Sequence, residues 1–325
     1  MGVARFDFVP WAQAPISEIV GRVAIDTPNY LLRRLHAAGR SRGERIPARH
    51  VWVTISIIRV MLRHHILPVF VFDGPPEVLK RPANPEVVRR ANNLYQRFIT
   101  ERDPYDETIV EQLNASPATY GYFALAHTRD IATAFGVPVI GAPSEAEMFA
   151  AALCARGYVR SVVSNDVDTL LFGSPHVSRQ LALGRGEIVR ATLESTLLHA
   201  GLSLSQLRDL AVLVGCDFHS GLRGIGPRKG IVLLRRHSTL ERVLKALGLT
   251  VAERQSFLEA RRVFDEADRL PLDRLSLTPN ASLPSRVVRV LAPALGQRAA
   301  KAIADESSVL WREFHQEQAA LEQWL

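Results

Sequence analysis

Several apolar runs in this sequence end in acidic residues, and that repetition constrains the fold most. Val23–Ile25 runs into Asp26, Pro68–Phe72 into Asp73, and Ser161–Val163 into Asn165-Asp166-Val167-Asp168. A fourth run, Val137–Ile140, is followed closely by Glu145 and Glu147. Stretches of helical periodicity separate these strands: Thr27 to Leu35, with Pro28 at its start, Val51 to His65, Tyr122 to Phe135, and Glu145 to Arg156, which Ser144 is placed to cap. Strands alternating with helices predict βαβ units and a central, mostly parallel sheet, hence an α/β fold.

In such a sheet, ligands collect beyond the carboxyl ends of the strands. Asp26, Asp73, Glu145, Glu147, Asp166 and Asp168 are therefore expected at one edge, joined by Asp217 after the apolar helix Leu204–Val214. That many like charges need cations, and hard oxygen donors suit Mg²⁺ or Mn²⁺. Two such ions about 4 Å apart can clamp the attacking and leaving oxygens of a phosphodiester. Each residue also has an ordinary reading. Ser144-x-x-Glu147 is a capping-box pattern, and Asp73-Gly-Pro-Pro is a common turn. Asp166 and Asp168, two apart on an extended segment, share a face whether in a site or in a solvated loop. Asp217 alone reads as a surface loop residue. Asp26 is harder to dismiss, since Thr27-Pro28 already supplies a helix start.

Composition narrows the class. The chain has 325 residues, 47% of them hydrophobic and 22% charged, which excludes disordered, collagenous and coiled-coil chains. No stretch reaches the roughly 20 apolar residues of a membrane span, and no signal peptide is evident in the sequence given. Cys154 and Cys216 are the only cysteines, so neither a disulfide framework nor a cysteine metal site is available, and a reducing, intracellular compartment is expected. Forty basic against 33 acidic residues give a net charge of +7, which suits a polyanionic partner. Lysine occurs only at Lys80, Lys229, Lys245 and Lys301, so arginine carries most of the positive charge. Residues 77 to about 120 are polar, basic and partly helical.

The ordered motifs VAID (23–26), VFVFDGPP (69–76), GAPSEAE (141–147), SNDVDTLLFG (164–173), and LVGCDF (213–218) followed by GIGPRK (224–229) resemble those of the structure-specific 5′ nucleases, above all the archaeal type of flap endonuclease. The resemblance covers roughly residues 1–245. It implies a PIN-like fold with a helical arch and a helix–turn–helix DNA-binding region. The implied division is a nuclease core over 1–260, with the arch at 77–120 and the duplex-binding region at 203–247, then a C-terminal region at 261–325. It implies a two-metal phosphodiesterase, with Asp26, Asp73, Glu145 and Glu147 around one Mg²⁺ and Asp166, Asp168 and Asp217 at the other. Lys80 takes the place of a basic residue that steadies the scissile phosphate, and Arg89 or Arg90 that of an arginine on the same helix. Residues 77–120 correspond to an arch that orders around a single-stranded 5′ flap.

Gly224, Gly226, Arg228 and Lys229 correspond to the turn that grips duplex DNA, where the family holds a K⁺ ion. Glycines there let backbone N–H groups approach phosphate at a helix N-terminus. One departure is Leu32, six residues after Asp26, where the family has an aromatic residue that stacks on a base; Tyr30 faces elsewhere on the helix. The chain's last residues hold Gln318, Leu321, Trp324 and Leu325, in the pattern of the box that binds the sliding clamp PCNA, with Leu325 in place of a second aromatic. An amphipathic helix docking on the protein's own core is the ordinary reading of that segment.

The resemblance implies a monomeric enzyme that cuts branched DNA carrying 5′ flaps in replication and repair, Okazaki fragments included, with 5′→3′ exonuclease activity. The nearest alternatives are a 5′ exonuclease or a junction resolvase of the same superfamily. An aspartate-nucleophile phosphatase needs an acid two residues after Asp73, where Pro75 stands. A catalytically inactive DNA-binding protein would not need all seven acidic positions.

Overall fold

The computed structural model describes residues 6–37, 48–75, 79–80, 84–100, 107–182, 185–272, 275–280 and 282–322, with the side chains of the last helix described as far as Gln316. The strands are β1 (Ala12–Pro15), β2 (Gly21–Asp26), β3 (Ile66–Phe72), β4 (Val139–Gly141), β5 (Ser161–Val163), β6 (His176–Ala182) and β7 (Glu187–Thr192). The helices are α1 (Thr27–Ala37), α2 (Arg49–Arg63), α3 (Pro85–Thr100), α4 (Glu107–Ala115), α5 (Pro117–Phe135), α6 (Ala146–Ala155), α7 (Asp168–Leu171), α8 (Leu193–Ala200), α9 (Leu204–Val214), α10 (Pro227–His237), α11 (Leu240–Ala246), α12 (Val251–Glu266), α13 (Pro284–Leu295) and α14 (Gln297–Glu322). No single helix among the described residues is long and apolar enough to cross a membrane.

The chain forms two compact units. The first joins Met1–Glu18, Asp73–Arg81 and Gly141–Arg274; the second joins Ile19–Phe72, Pro82–Ile140 and Leu275–Leu325. Each is assembled from three separate stretches of sequence. The boundary expected at 260/261 falls inside α12, whose apolar positions Phe257, Ala260, Val263 and Phe264 are all buried.

In the first unit the strand order is β1-β7-β6-β5. Strands β5 and β6 are parallel, whereas β6/β7 and β1/β7 are antiparallel. The parallel pair is what the βαβ reading predicts. The antiparallel edge was not legible, because β6 and β7 bury polar Ser178 and small Ala191 beside Val177 and Ile188 and lack a clean apolar alternation. Helices α9 to α12 pack on one apolar cluster centred on Leu207, Leu210, Leu213, Leu234, Leu244 and Phe264. Arg208 is 4% exposed, yet all three nitrogens of its guanidinium are engaged, with the Leu171 carbonyl, Asp265 and Asp268. A buried charge is tolerated only with such partners.

In the second unit the order is β2-β3-β4, with β2 and β3 parallel and in register from Gly21↔Ile66 to Asp26↔Val71. All seven residues of β3 are buried, which is why it reads as one unbroken apolar run. Helix α3 buries Ala91, Leu94, Tyr95 and Phe98, the i, i+3, i+4, i+7 stripe of an amphipathic helix, against Phe123 of α5. The segment expected as a mobile arch thus contains a helix with its own core.

The residues from 311 read as a polar amphipathic tail, and the structure gives that tail its buried face: Leu310, Trp311 and Phe314 are buried, and Trp311 Nε1 donates to the Phe135 carbonyl at 2.6 Å. Their spacing is that of one helix face.

Candidate active site

Asp73 immediately follows β3 in the chain, and Gly74 presses against the loop before α6. A Cβ at Gly74 would lie 2.2 Å from the Ala142 carbonyl oxygen, so only glycine fits there. The approach is closed by Gly74 N–H donating to Ser144 O at 2.6 Å and Ala146 N–H donating to Asp73 Oδ1 at 2.8 Å. The N-cap of α6 is Glu145, which makes no side-chain capping bond; the Asp73 carboxylate takes a first-turn N–H instead. The capping-box reading of Ser144 and Glu147 is therefore corrected: Ser144 lies outside the helix, its Oγ 3.8 Å from Met148 Sδ. Glu145 and Glu147, released from capping, are 7% and 8% exposed.

Lys80 unites this acidic group. Its ammonium contacts Glu145 and lies 3.3 Å from Asp217 Oδ2. Burial alone would lower its pKa, but the charges of Glu147, Glu145 and Asp217 outweigh burial and raise it. Asp73 shows the reverse: its surface stays exposed to solvent, yet desolvation by the surrounding protein raises its pKa and Glu145 adds to the rise, against the Ala146 N–H and Lys80. Burial pushes the Cys216 thiol up to about 11, and the charges of Asp168 and Asp217 add to the rise. Glu145 and Asp217 are thus held at one ammonium, that of Lys80, which also feels the charge of Glu147.

Asp166 and Asp168 do not lie on an extended segment. Asp166 Oδ1 accepts the Asp168 N–H at 3.1 Å, and Asp168 opens the short helix α7. The turn points the two carboxylates differently: Asp168 is 1% exposed, while Asp166 is half-buried. Asp26 belongs to the second unit, where it ends β2 and is 3% exposed. Its Oδ1 accepts the Asn29 N–H at 3.4 Å, so Asp26 itself caps α1, while Thr27 Oγ1 turns back to the Ile25 carbonyl. The expectation that Thr27-Pro28 relieves Asp26 of capping is corrected.

Among the described residues no three His, Cys, Asp or Glu side chains form a ready-made metal cage. The donor set nonetheless fits hard divalent cations. It is all carboxylate, Asp26, Glu145, Glu147 and Asp168 are buried, and Glu145 and Asp217 already share the Lys80 ammonium.

Lys80 precedes α3 and does not share its helix, because Asn84 and Pro85 start α3 afresh, with Asn84 Oδ1 accepting the Glu86 N–H at 3.0 Å. Arg89 and Arg90 are both exposed on α3, and Arg89 pairs with Glu86 at 2.7 Å. They line a surface cleft with Asn93, Arg97 and Gln112. Leu32 packs towards Gly121 of α5, where a Cβ would meet its Cδ2 at 3.1 Å, and Tyr30 is buried.

The glycine-rich turn joins α9 to α10. Gly224 has φ +81 with open space where a Cβ would stand, and Gly226 is the N-cap of α10, with Pro227 following. A glycine cap supplies no side-chain acceptor, so the first N–H groups of the helix face outward beside exposed Arg228 and Lys229. Gly230 lets α10 approach α9, since its Cβ would stand 2.4 Å from Leu210 Cδ1. Backbone helix continues through Gln318 and Leu321; Trp324 and Leu325 lie outside the described residues.

The chain is similar to known proteins. The XPG N-terminal domain family matches residues 15–93 and the XPG I-region family residues 136–217. Flap endonuclease 1 of Haloarcula marismortui is 34% identical over 239 residues, covering 70% of this chain and 71% of that protein. Flap endonuclease 1 of Brugia malayi is 32% identical over 223 residues, 67% of this chain but 59% of the relative, so the match spans about three fifths of that longer protein. The solved flap endonuclease-1 from Methanococcus jannaschii superposes with a TM-score of 0.67 at 25% identity, covering 95% of this chain and 98% of that one. The catalytic core of Rad2 in complex with DNA substrate shares the fold, with a TM-score of 0.65 at 20% identity, covering 91% of this chain and 96% of that one. An α/β fold of this kind, with acidic residues following its strands, is that of the XPG nuclease superfamily. Within it, the chain belongs to the flap endonuclease family.

Proposed function

We propose that this protein is a metal-dependent, structure-specific 5′ nuclease. It hydrolyses the phosphodiester at the junction of a 5′ flap with duplex DNA, leaving a 5′-phosphate and a 3′-hydroxyl. The observation that carries this reading is the acidic group of the first unit held around Lys80, followed directly in sequence by the glycine-capped turn before α10. Asp26, Asp73, Glu145 and Glu147 would hold one Mg²⁺, and Asp166, Asp168 and Asp217 the second, with Mn²⁺ able to substitute. When bound, the ions supply a hydroxide-like water at neutral pH and neutralise charge on the phosphate.

The protein's own side chains do the rest. Lys80, already placed beside Glu145 and Asp217, would turn its ammonium to a non-bridging oxygen of the scissile phosphate and offset charge there. Arg89 or Arg90 steadies the flap from α3. Gly224, Gly226, Arg228 and Lys229 hold the duplex backbone, and this turn would be the one to hold K⁺. The last residues, Gln318 to Leu325, carry the sliding-clamp contact. The protein acts as a monomer, inside the cell with the DNA, in replication and repair.

The test is a Mg²⁺ titration on a labelled 5′-flap substrate beside duplex, nicked and four-way-junction controls. Metal-dependent cleavage at the flap base is the expected result. Preference for the four-way junction would make the protein a resolvase, preference for duplex ends a 5′ exonuclease, and no cleavage with any divalent metal would end the enzyme reading.

A further inference from the structure

His219 lies between Asp217 and the glycine-rich turn, and its side chain joins three parts of the first unit. The chain leaves α9 at Gly215, with φ +111, and returns at Gly221, with φ +75. A Cβ on Gly221 would stand 2.5 Å from Gly215 N, so the two glycines form the closed neck of a short loop. Cys216 N–H donates to the His219 carbonyl at 2.8 Å, and Leu222 N–H donates to Leu213 O at 2.8 Å just beyond the neck. Within this loop His219 Nδ1 accepts the Gly221 N–H at 2.9 Å. That bond assigns the ring proton of neutral His219 to Nε2, which faces Ser256 Oγ at 3.3 Å. Ser256 Oγ donates in turn to the Glu253 carbonyl at 3.0 Å, leaving its lone pair for the histidine. The imidazole also lies against Phe257, with ring centroids 3.8 Å apart. One side chain therefore ties the loop bearing Asp217 to the residue that starts the turn, and ties both to α12.

We infer that His219 is a positioning residue: it fixes Asp217 relative to the turn that enters α10, so that duplex DNA engaged at Gly226–Lys229 and the metal ligand at Asp217 stay in one register. The inference rests on the proposed roles of Asp217 and of that turn. Asp217 is two residues before the histidine and Gly221 two after it. Loss of the Nδ1 acceptor leaves the Gly221 N–H without this bond and lets the loop relax about its glycine neck, with Asp217 at its tip. Partners that orient a metal ligand without touching the metal commonly matter about 10- to 100-fold in metal affinity or rate.

The comparison is His219→Phe, which keeps a ring against Phe257 but has no acceptor, with His219→Asn, whose Oδ1 can take the Gly221 N–H. Three quantities are read: Mn²⁺ binding to the DNA-free protein by calorimetry, flap-DNA affinity in Ca²⁺ by anisotropy, and the single-turnover rate in Mg²⁺. His219→Phe is expected to weaken Mn²⁺ binding and slow the chemical step by about tenfold or more, with DNA affinity changed less than about threefold; His219→Asn is expected to restore both. Wild-type metal binding and rate in His219→Phe, or equal loss in the two variants, overturns the inference. Should His219→Phe not fold, His219→Ala against His219→Asn makes the same comparison. Asp217→Asn run in parallel separates the two levels. If it too is wild-type, the metal assignment fails; if it is impaired while His219→Phe is not, only the positioning role fails.

Discussion

His50 Nε2 lies 2.8 Å from His127 Nδ1, and both imidazoles are fully buried in the second unit. The neighbours decide where the protons sit. His127 Nε2 faces the Val290 carbonyl at 2.9 Å and must donate to it, which leaves Nδ1 as an acceptor. His50 Nε2 therefore carries the proton between the rings, and His50 Nδ1 accepts from the Tyr120 hydroxyl at 3.2 Å. The chain of donors runs one way, from α5 through α2 back to α5 and on to α13, and it is complete only while both rings are neutral. Asp130, which accepts from Tyr95 on α3, is the nearby carboxylate.

Acid should weaken the fold through this chain. Burial lowers the His127 pKa from 6.5 to about 4, against smaller opposing effects of the Val290 carbonyl and Asp130. Below pH 6.5 the unfolded chain takes up a proton that the folded chain refuses. The His127 contribution to stability is therefore constant above pH 6.5, falls between 6.5 and 4, and levels off below, a loss on the order of 3 kcal/mol. Denaturant melts at pH 7.5, 6, 5 and 4 should show this fall in the wild type and a shallower one in His127→Gln. Parallel profiles would mean that His127 does not carry the effect.

Asp168→Asn should abolish cleavage while flap-DNA binding stays within about threefold, since most affinity comes from spread phosphate contacts. The same holds for Asp166→Asn. The two should differ in stability, because Asp168 is 1% exposed whereas Asp166 accepts the Asp168 N–H that starts α7. Loss of that capping acceptor costs about 1 kcal/mol, so Asp166→Ala should melt lower than Asp166→Asn. Cleavage at wild-type rate in both asparagine variants would remove these residues from the site.

How far the site was legible follows from how far apart its parts lie in sequence. Strand ends are local signals, so Asp26, Asp73, Asp166 and Asp168 stood out from the runs before them. What each carboxylate does beside that depends on distant partners. Asp73 caps a helix 73 residues later, and no window around Ser144 could show that the capping box would go unused. The His50–His127 pair is 77 residues apart, and each histidine alone reads as an isolated polar residue in an apolar helix. The amphipathic pattern puts Trp311 and Phe314 on one helix face, but no local window shows the partner of Trp311, the Phe135 carbonyl, 176 residues away.

Gly74→Ala tests the close approach behind Asp73. The added Cβ would meet the Ala142 carbonyl oxygen at 2.2 Å, so the loop before α6 must move and the Asp73–Ala146 bond with it. Overpacking against rigid backbone costs roughly 1–3 kcal/mol, and the melting temperature should fall accordingly. Cleavage should fall further than stability explains, since Asp73, Glu145 and Glu147 all ride on the displaced segments. A folded variant with wild-type rate would show that this packing does not set the site.

Lys80→Met separates a counter-ion from an ordinary arch contact. The ammonium contacts Glu145 and lies 3.3 Å from Asp217, so it competes for the carboxylates that would hold metal. Its removal should tighten Mn²⁺ binding to the DNA-free protein yet lower the saturated single-turnover rate by roughly 10²-fold, because charge on the phosphate loses its partner. Flap-DNA affinity should barely change. Weaker DNA binding with a normal saturated rate would instead make Lys80 a binding residue.

Arg228 and Lys229 give the sharpest test of the duplex contact, because their surroundings exclude a folding role. Both are exposed in the first turn of α10, and neither is needed to cap it, since Gly226 and Pro227 start the helix. Replacing both with glutamine should therefore leave the melting temperature unchanged. If each meets one phosphate, the slope of log affinity against log salt should fall by about 0.9 per contact, on every substrate that contains duplex. Single-stranded DNA should show no such change, and the rate at saturating substrate should hold. Gly226→Ala makes the complementary test: its φ of −99 admits any residue and its Cβ would meet nothing within 4 Å, so the helix start survives while a methyl group stands where phosphate would approach the N–H groups. Weaker duplex binding in that variant with the salt slope intact would mark a backbone contact; an unchanged slope in Arg228→Gln/Lys229→Gln would leave α9 and α10 as a packing motif alone.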